Sequence, residues 1–203
     1  MGKRVYISAD YSENDGDRDV IAVLHAWGND NLHKVDYVDT AEVVSGSVSS
    51  DPNCRACDLK AEFNKQINAS SCVIFVIGDK TSKRMAGSSC QRHILGAGCS
   101  CTPYKQNING QTYCKIWGDT HVTSAYEDLG IINGFSYIEH EFKQAERKNK
   151  TIIVVYNSLY KQQTWLPTYM SGYEAEAQPF WIRNIHDERI GNYEFVKKAL
   201  GYD

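Results

Sequence analysis

The chain has 203 residues, 42% hydrophobic and 23% charged, with a net charge of -3 and an isoelectric point near 6.1. That balance fits an ordinary globular domain, or a compact domain carrying an insertion, and gives no electrostatic case for nucleic acid as the main partner. No apolar run reaches the length of a membrane span, and Met1-Gly-Lys-Arg leads into a strand rather than a signal-peptide core, so the expected location is the cytoplasm. Seven cysteines, an odd number without a secretion signal, argue for reduced thiols over a disulfide framework. Thirteen tyrosines and four tryptophans either pack a core or line the pocket of a flat aromatic ligand, and composition does not choose between these.

Arg4-Val-Tyr-Ile-Ser8 reads as a first strand that runs into the polar stretch Asp10–Gly16. From Asp17, the residues Val20, Ile21, Val23, Leu24 and Trp27 recur with a helical period, closed by Gly28. Lys34–Asp39 is a second strand, followed by a loop rich in Ser, Gly, Asp and Pro from Thr40 to about Cys57. Leu59, Phe63 and Ile67 mark an amphipathic helix ending near Ser70. Cys72–Ile77 is a continuous apolar run of the kind buried on both faces of a sheet, and Gly78–Ser82 follows it as a loop. Between about Lys83 and Gly134 neither period is clean, and fifty residues exceed an ordinary connection, so the segment reads as an insertion.

After the insertion, Ser136 and Glu139 stand in the S-x-x-E relation of a capping box and open a helix. Ile138, Phe142 and Ala145 fall on one face of it. At about 100° per residue, Glu141 lies roughly 60–70° from the centre of that face, and His140 points to the far side. A carboxylate there is either half of a structural ion pair or a working group, and the helix pattern alone favours the first. Thr151–Tyr156 is another apolar strand. Asn192 caps a last short helix carrying Tyr193, Val196, Lys197 and Leu200, with Gly201 after it. Strands alternating with helices, with apolar central strands, imply an α/β flavodoxin-like doubly wound parallel sheet, whose site lies at the carboxyl ends of the strands.

The chemical motifs are sparse. Cys54-Arg-Ala-Cys57 is a C-x-x-C that would need Cys99 and Cys101, or Cys90, His93 and Cys114, to complete a zinc site. Reduced thiols are the simpler reading, and a redox role is weaker still because the motif is expected in a loop. Neither G-x-x-x-x-G-K-[ST] nor G-x-G-x-x-G occurs, and the histidines form no H-x-x-x-H pair. Glu141 is therefore the best-marked reactive candidate.

Three blocks carry a resemblance to a known family. Arg4-Val-Tyr-Ile-Ser-Ala-Asp-Tyr11 resembles the opening strand of TIR-like domains, and Ala69–Thr81 resembles the third strand and loop of their bacterial branch. Ser136–Ala145 is similar to that branch's S-x-W-V-x-x-E-I-x-x-A helix, with Tyr137 and Ile138 for Trp and Val one position earlier and Glu141 at the catalytic glutamate. The pattern is closest to the TIR-like proteins of the Thoeris anti-phage defence system, with the whole chain one TIR-like domain and the insertion at about 83–134.

The resemblance implies an NAD-consuming enzyme (an NADase) that cleaves the bond between nicotinamide and ribose, with NAD+ as substrate and no separate cofactor or metal. Its product would be an ADP-ribose-derived signalling nucleotide, cyclic or conjugated, read by a separate effector protein after a phage-derived trigger. Homo-oligomers are also compatible with the family. The resemblance further implies that Ser8, Asp10 and Tyr11 after the first strand, Ser45, Gly46 and Ser47 after the second, and Tyr137 line the substrate pocket. The competing readings are a TIR-like interaction module without catalysis, and a zinc-stabilised binding protein.

Overall fold

A computed structural model of the chain describes residues 2–10, 17–31, 33–39, 52–84, 105–108, 111–114 and 136–202. The strands are β1 (Lys3–Ser8), β2 (Val35–Asp39), β3 (Cys72–Ile77), β4 (Lys105–Ile108), β5 (Gln111–Cys114), β6 (Thr151–Tyr156), β7 (Gln178–Pro179), β8 (Trp181–Arg183) and β9 (Arg189–Gly191). The α-helices are α1 (Asp17–Gly28), α2 (Pro52–Ala69), α3 (Tyr137–Arg147) and α4 (Tyr193–Ala199). The chain divides into two compact units, the first built from Met1–Thr40, Gln66–Arg84 and Ala145–Asp203, the second from Ala41–Lys65 and Met85–Gln144.

The first unit holds a five-stranded sheet in the order β2-β1-β3-β6-β7, every pair parallel. This is the doubly wound flavodoxin-like order expected of alternating strands and helices. Register is set by side-chain alternation. Val5 pairs with Tyr37 on one side and Cys72 on the other, and Ile74 pairs with Ile153. Val5, Ile7, Ile74, Val76, Ile153 and Val155 thus share one face, which α1 covers with Val20, Ile21 and Leu24 and α4 covers with Val196. The opposite face is also buried, through Tyr6, Val38, Val73, Phe75, Val154 and Tyr156. Burial on both faces is why β3 and the inner half of β6 contain no charged residue.

Both helices on that face end where local chemistry dictates. Asp17 and Asp19 occupy the first turn of α1, where carboxylates offset the positive end of the helix dipole. Asn192 Oδ1 accepts the Phe195 N–H at 3.3 Å to open α4, and Gly201, at φ +76°, closes it in a backbone conformation that side chains disfavour. Burial pushes the Cys72 thiol, only 3% exposed, up to about 12, so it packs as a small apolar group.

Three features depart from the sequence reading, and a fourth adds to it. The helix α2 begins at Pro52 instead of after Cys57, so Cys54-Arg-Ala-Cys57 lies in helix and not in a loop. Proline is well suited to a first helical turn because its missing N–H has no partner there in any case. The segment read as an insertion without strands contains β4 and β5, paired antiparallel with Ile108 opposite Gln111. The stretch between β6 and α4, which the sequence pattern leaves unassigned, holds β7, β8, β9 and two 3-10 helices, Gln163–Trp165 and Thr168–Tyr173. Finally, β2 starts at Val35, one residue later than read.

The β8–β9 hairpin is tied to α1. Gly191 lies against Trp27, whose ring packs on Phe180 at 5.5 Å and edge-on to Tyr193 at 5.2 Å. A Cβ on Gly191 would stand 2.6 Å from the Trp27 ring, which those neighbours hold in place. Gly191→Ala is therefore expected to lower stability by about 1–3 kcal/mol through overpacking, read from the midpoint of a denaturant melt.

Candidate functional site

Helix α3 opens as its sequence requires. Ser136 Oγ accepts the Glu139 N–H at 3.0 Å and the Ser136 carbonyl accepts the His140 N–H, so Ser136 is the N-cap. The Glu139 carboxylate does not reach back to complete the box; it pairs with Lys143 Nζ, one turn on, at 2.7 Å. Glu139 is thereby committed to a surface pair worth a few tenths of a kcal/mol, about 0.3–0.5.

The buried arc of α3 is wider than its apolar residues suggest. Ile138, Phe142 and Ala145 are buried, and so are His140 (3% exposed), Glu141 (1%) and Gln144 (1%). At about 100° per residue the arc spans roughly 200°, an apolar half of Phe142, Ile138 and Ala145 followed by a polar half of Glu141, Tyr137, Gln144 and His140. Glu141 sits at the junction of the two. Burying a carboxylate costs several kcal/mol unless it is hydrogen-bonded or paired, so its position is strongly selected by its surroundings.

Within the second unit, α2 supplies the wall against that polar half. Lys60 is 0% exposed and Asn64 7%, one turn apart. His140 Nε2 lies 2.9 Å from Asn64 Oδ1 and 3.2 Å from the Lys60 carbonyl oxygen. Tyr137 stands edge-on to Phe63 with ring centroids 5.7 Å apart. His140 does point to the far side of α3 from Ile138, but that side is buried against α2, not solvated. Sequence reading passed over Lys60 and Asn64. Their only mark is the i, i+4 spacing beside the apolar row Phe63 and Ile67, a pattern that ordinary solvated faces also show.

The carboxyl ends of the strands belong to the first unit and carry a second polar group. Asp17, at the start of α1 and 1% exposed, accepts a hydrogen bond at Oδ1 from Asn157 Nδ2 at 2.8 Å. The Asn157 Oδ1 accepts from Trp181 Nε1 at 2.8 Å, which fixes the orientation of that amide. Gly78, at the end of β3, donates its N–H to Thr81 Oγ1 at 2.9 Å, and a Cβ there would stand 3.3 Å from Asp17 Oδ1. The end of β2 carries Asp39, whose carboxylate lies 2.6 Å from His25 Nε2.

Ser8 is fully buried at the end of β1, and Asp10 pairs with Arg84 at 3.3 Å, so both already serve the first unit's own packing. Tyr137 and Glu141 lie together on α3 in the second unit. Tyr11, Ser45, Gly46 and Ser47 lie outside the described residues, as do Cys90, His93, Cys99 and Cys101. Among the described residues no group of three or more His, Cys, Asp or Glu converges as metal ligands, and no helix is long and apolar enough to cross a membrane.

No family model matches the chain, and a search of curated proteins finds no match.

The Asp17–Asn157–Trp181 chain ties the start of α1 to the end of β6. Asp17→Ala removes the carboxylate to which the half-buried Asn157 amide donates, and is expected to cost about 1.5–3 kcal/mol in a denaturant melt. Asp17→Asn, which keeps an acceptor oxygen, is expected to lose less.

Proposed function

We propose that this protein is a TIR-like enzyme that consumes NAD+ by breaking the bond between nicotinamide and ribose, with Glu141 as the catalytic carboxylate. The observation that carries the reading is Glu141 itself: a carboxylate 1% exposed at the junction of an apolar and a polar stripe, on a helix opened by a serine cap. Glu139, two residues away, is spent on Lys143 and has no such setting. The doubly wound parallel sheet is compatible with the reading and by itself supports many chemistries.

Departure of nicotinamide leaves an oxocarbenium-like ribose. As the bond breaks, its electron pair neutralises the nicotinamide ring and the substrate's positive charge passes to the ribose; a fixed anion beside the ribose stabilises that charge more there than on the ring, which lowers the barrier. Burial strengthens that interaction because little solvent screens it. The nucleophile then decides the product: water gives ADP-ribose, an atom of the substrate's own base gives a cyclic nucleotide, and another small molecule gives a conjugate. On this reading the product is a defence signal made in the cytoplasm, acting on a separate effector protein after a phage-derived trigger. By the family resemblance, Tyr137 and, each separately, Ser8, Asp10, Tyr11, Ser45, Gly46 and Ser47 are the proposed substrate contacts, each open to its own substitution.

The test is nicotinamide release by the purified protein supplied with NAD+. Glu141→Gln is expected to reduce the rate by at least about 100-fold, in the range found on removing one stabilising group at a reacting centre, with an unchanged circular dichroism spectrum. Undiminished turnover in that variant removes Glu141 from the chemistry. Absence of turnover in the unaltered protein, with or without phage extract, favours the interaction-module reading instead.

A further inference from the structure

The tie between His140 and α2 has a consequence for the residue that follows His140. Two oxygens lie within hydrogen-bond distance of His140 Nε2, Asn64 Oδ1 at 2.9 Å and the Lys60 carbonyl at 3.2 Å. The carbonyl is only an acceptor, whichever way the Asn64 amide is turned. A bare lone pair on Nε2 would face it repulsively, so Nε2 carries a proton and donates. All three residues are buried, His140 at 3%, Asn64 at 7% and Lys60 at 0% exposure, so water does not compete for that N–H. An imidazole has a rigid ring and two torsions. With its far nitrogen held by two points on α2, the rotation of α3 about its own axis is set at His140.

We infer that Asn64 and His140 are positioning residues: their hydrogen bond fixes the rotation of α3 and with it the direction in which Glu141 presents its carboxylate. The inference rests on the proposed role of Glu141 and adds the device that aims it. Adjacent helical residues are about 100° apart, so the two side chains turn as one body. Phe63 against Tyr137, at 5.7 Å, holds the helix one turn nearer its start but offers no directional bond. Loss of the His140 donor would remove this directional bond from α3 and permit a small rotation of the helix against α2. A displacement of about 1 Å at a reacting group costs up to about 100-fold in rate.

The experiment pairs kinetics with a spectroscopic reading. His140→Met removes the donor at similar volume, and His140→Gln retains an N–H near the Nε2 position. Asn64→Leu removes the acceptor, and Asn64→Asp retains one. With NAD+ as substrate and at a temperature where circular dichroism shows each variant folded, His140→Met and Asn64→Leu are expected to lower kcat by about 10- to 100-fold with KM within about threefold. His140→Gln and Asn64→Asp are expected to recover most of the loss. A packing role alone would lower the melting temperature of all four and leave kcat in place. Independently of turnover, 15N-histidine spectra of the unaltered protein are expected to show a slowly exchanging Nε2–H whose chemical shift Asn64→Leu moves and whose exchange it quickens, with the Lys60 carbonyl left as acceptor.

A bare Nε2 in those spectra overturns the inference, whatever the enzyme does. So does wild-type kcat in His140→Met, or equal losses in His140→Met and His140→Gln. Failure of the variants with Glu141→Gln still inactive leaves the proposed reaction standing without this positioning device. No nicotinamide release from the unaltered protein, with the Nε2–H present, overturns the reaction and the positioning role together.

Discussion

The structure depends on one ladder, β1–β3–β6, in which parallel strands are buried on both faces. Parallel neighbours cannot be joined by a tight turn, so each strand is followed by a crossover that returns the chain to the same end. The six residues of β3 are all at most 3% exposed and none is charged. Such a core admits no working polar group in its middle. Polar chemistry in the first unit is pushed to the strand ends, where Asp17, Asn157, Trp181, Gly78 and Thr81 form a connected set.

Helix α3 holds its polar groups in a different way. Its apolar half is an ordinary packing stripe. Its polar half buries His140, Glu141 and Gln144, side chains that each lose hydration and must regain it from fixed partners. A buried polar stripe is a poor way to gain stability, since well-packed apolar residues of similar volume commonly do as well. It is a good way to fix direction. Asn64 and the Lys60 carbonyl give His140 a single orientation, and the Ser136 cap fixes where the helix begins. On the proposed function, both constraints serve the carboxylate between them.

Much of this was legible in the residues. Cys72–Ile77 and Thr151–Tyr156 were readable because continuous apolar runs of six residues have few alternatives once Ser70 and Gly78, or Asn149 and Asn157, bound them. The caps at Asn192 and Ser136 were readable because side-chain oxygens at a helix start have a specific task. The start of α2 was not, because Ser, Gly, Asp and Pro before it resemble loop, and Pro52 can open a helix as readily as interrupt one. The β4–β5 hairpin was missed because Lys105–Ile108 and Gln111–Cys114 are mostly polar and lack alternation, although Asn109-Gly110 between them is a strong hairpin signal. Strands of two or three residues, such as β7, β8 and β9, are too short for any period to register. The candidate site divides similarly. That Glu141 flanks the apolar row of α3 could be read from spacing, whereas Lys60 and Asn64 are buried by tertiary packing that their own helix does not encode.

The most direct test of the central claim is mass spectrometry of the nucleotide pool in cells carrying the chain or its Glu141→Gln form, sampled before and during phage infection. The account predicts that NAD+ falls, nicotinamide rises and an ADP-ribose-derived species accumulates only where Glu141 is intact. An unchanged NAD+ pool during an infection that the protein blocks would contradict it, as would the same new species in cells carrying Glu141→Gln.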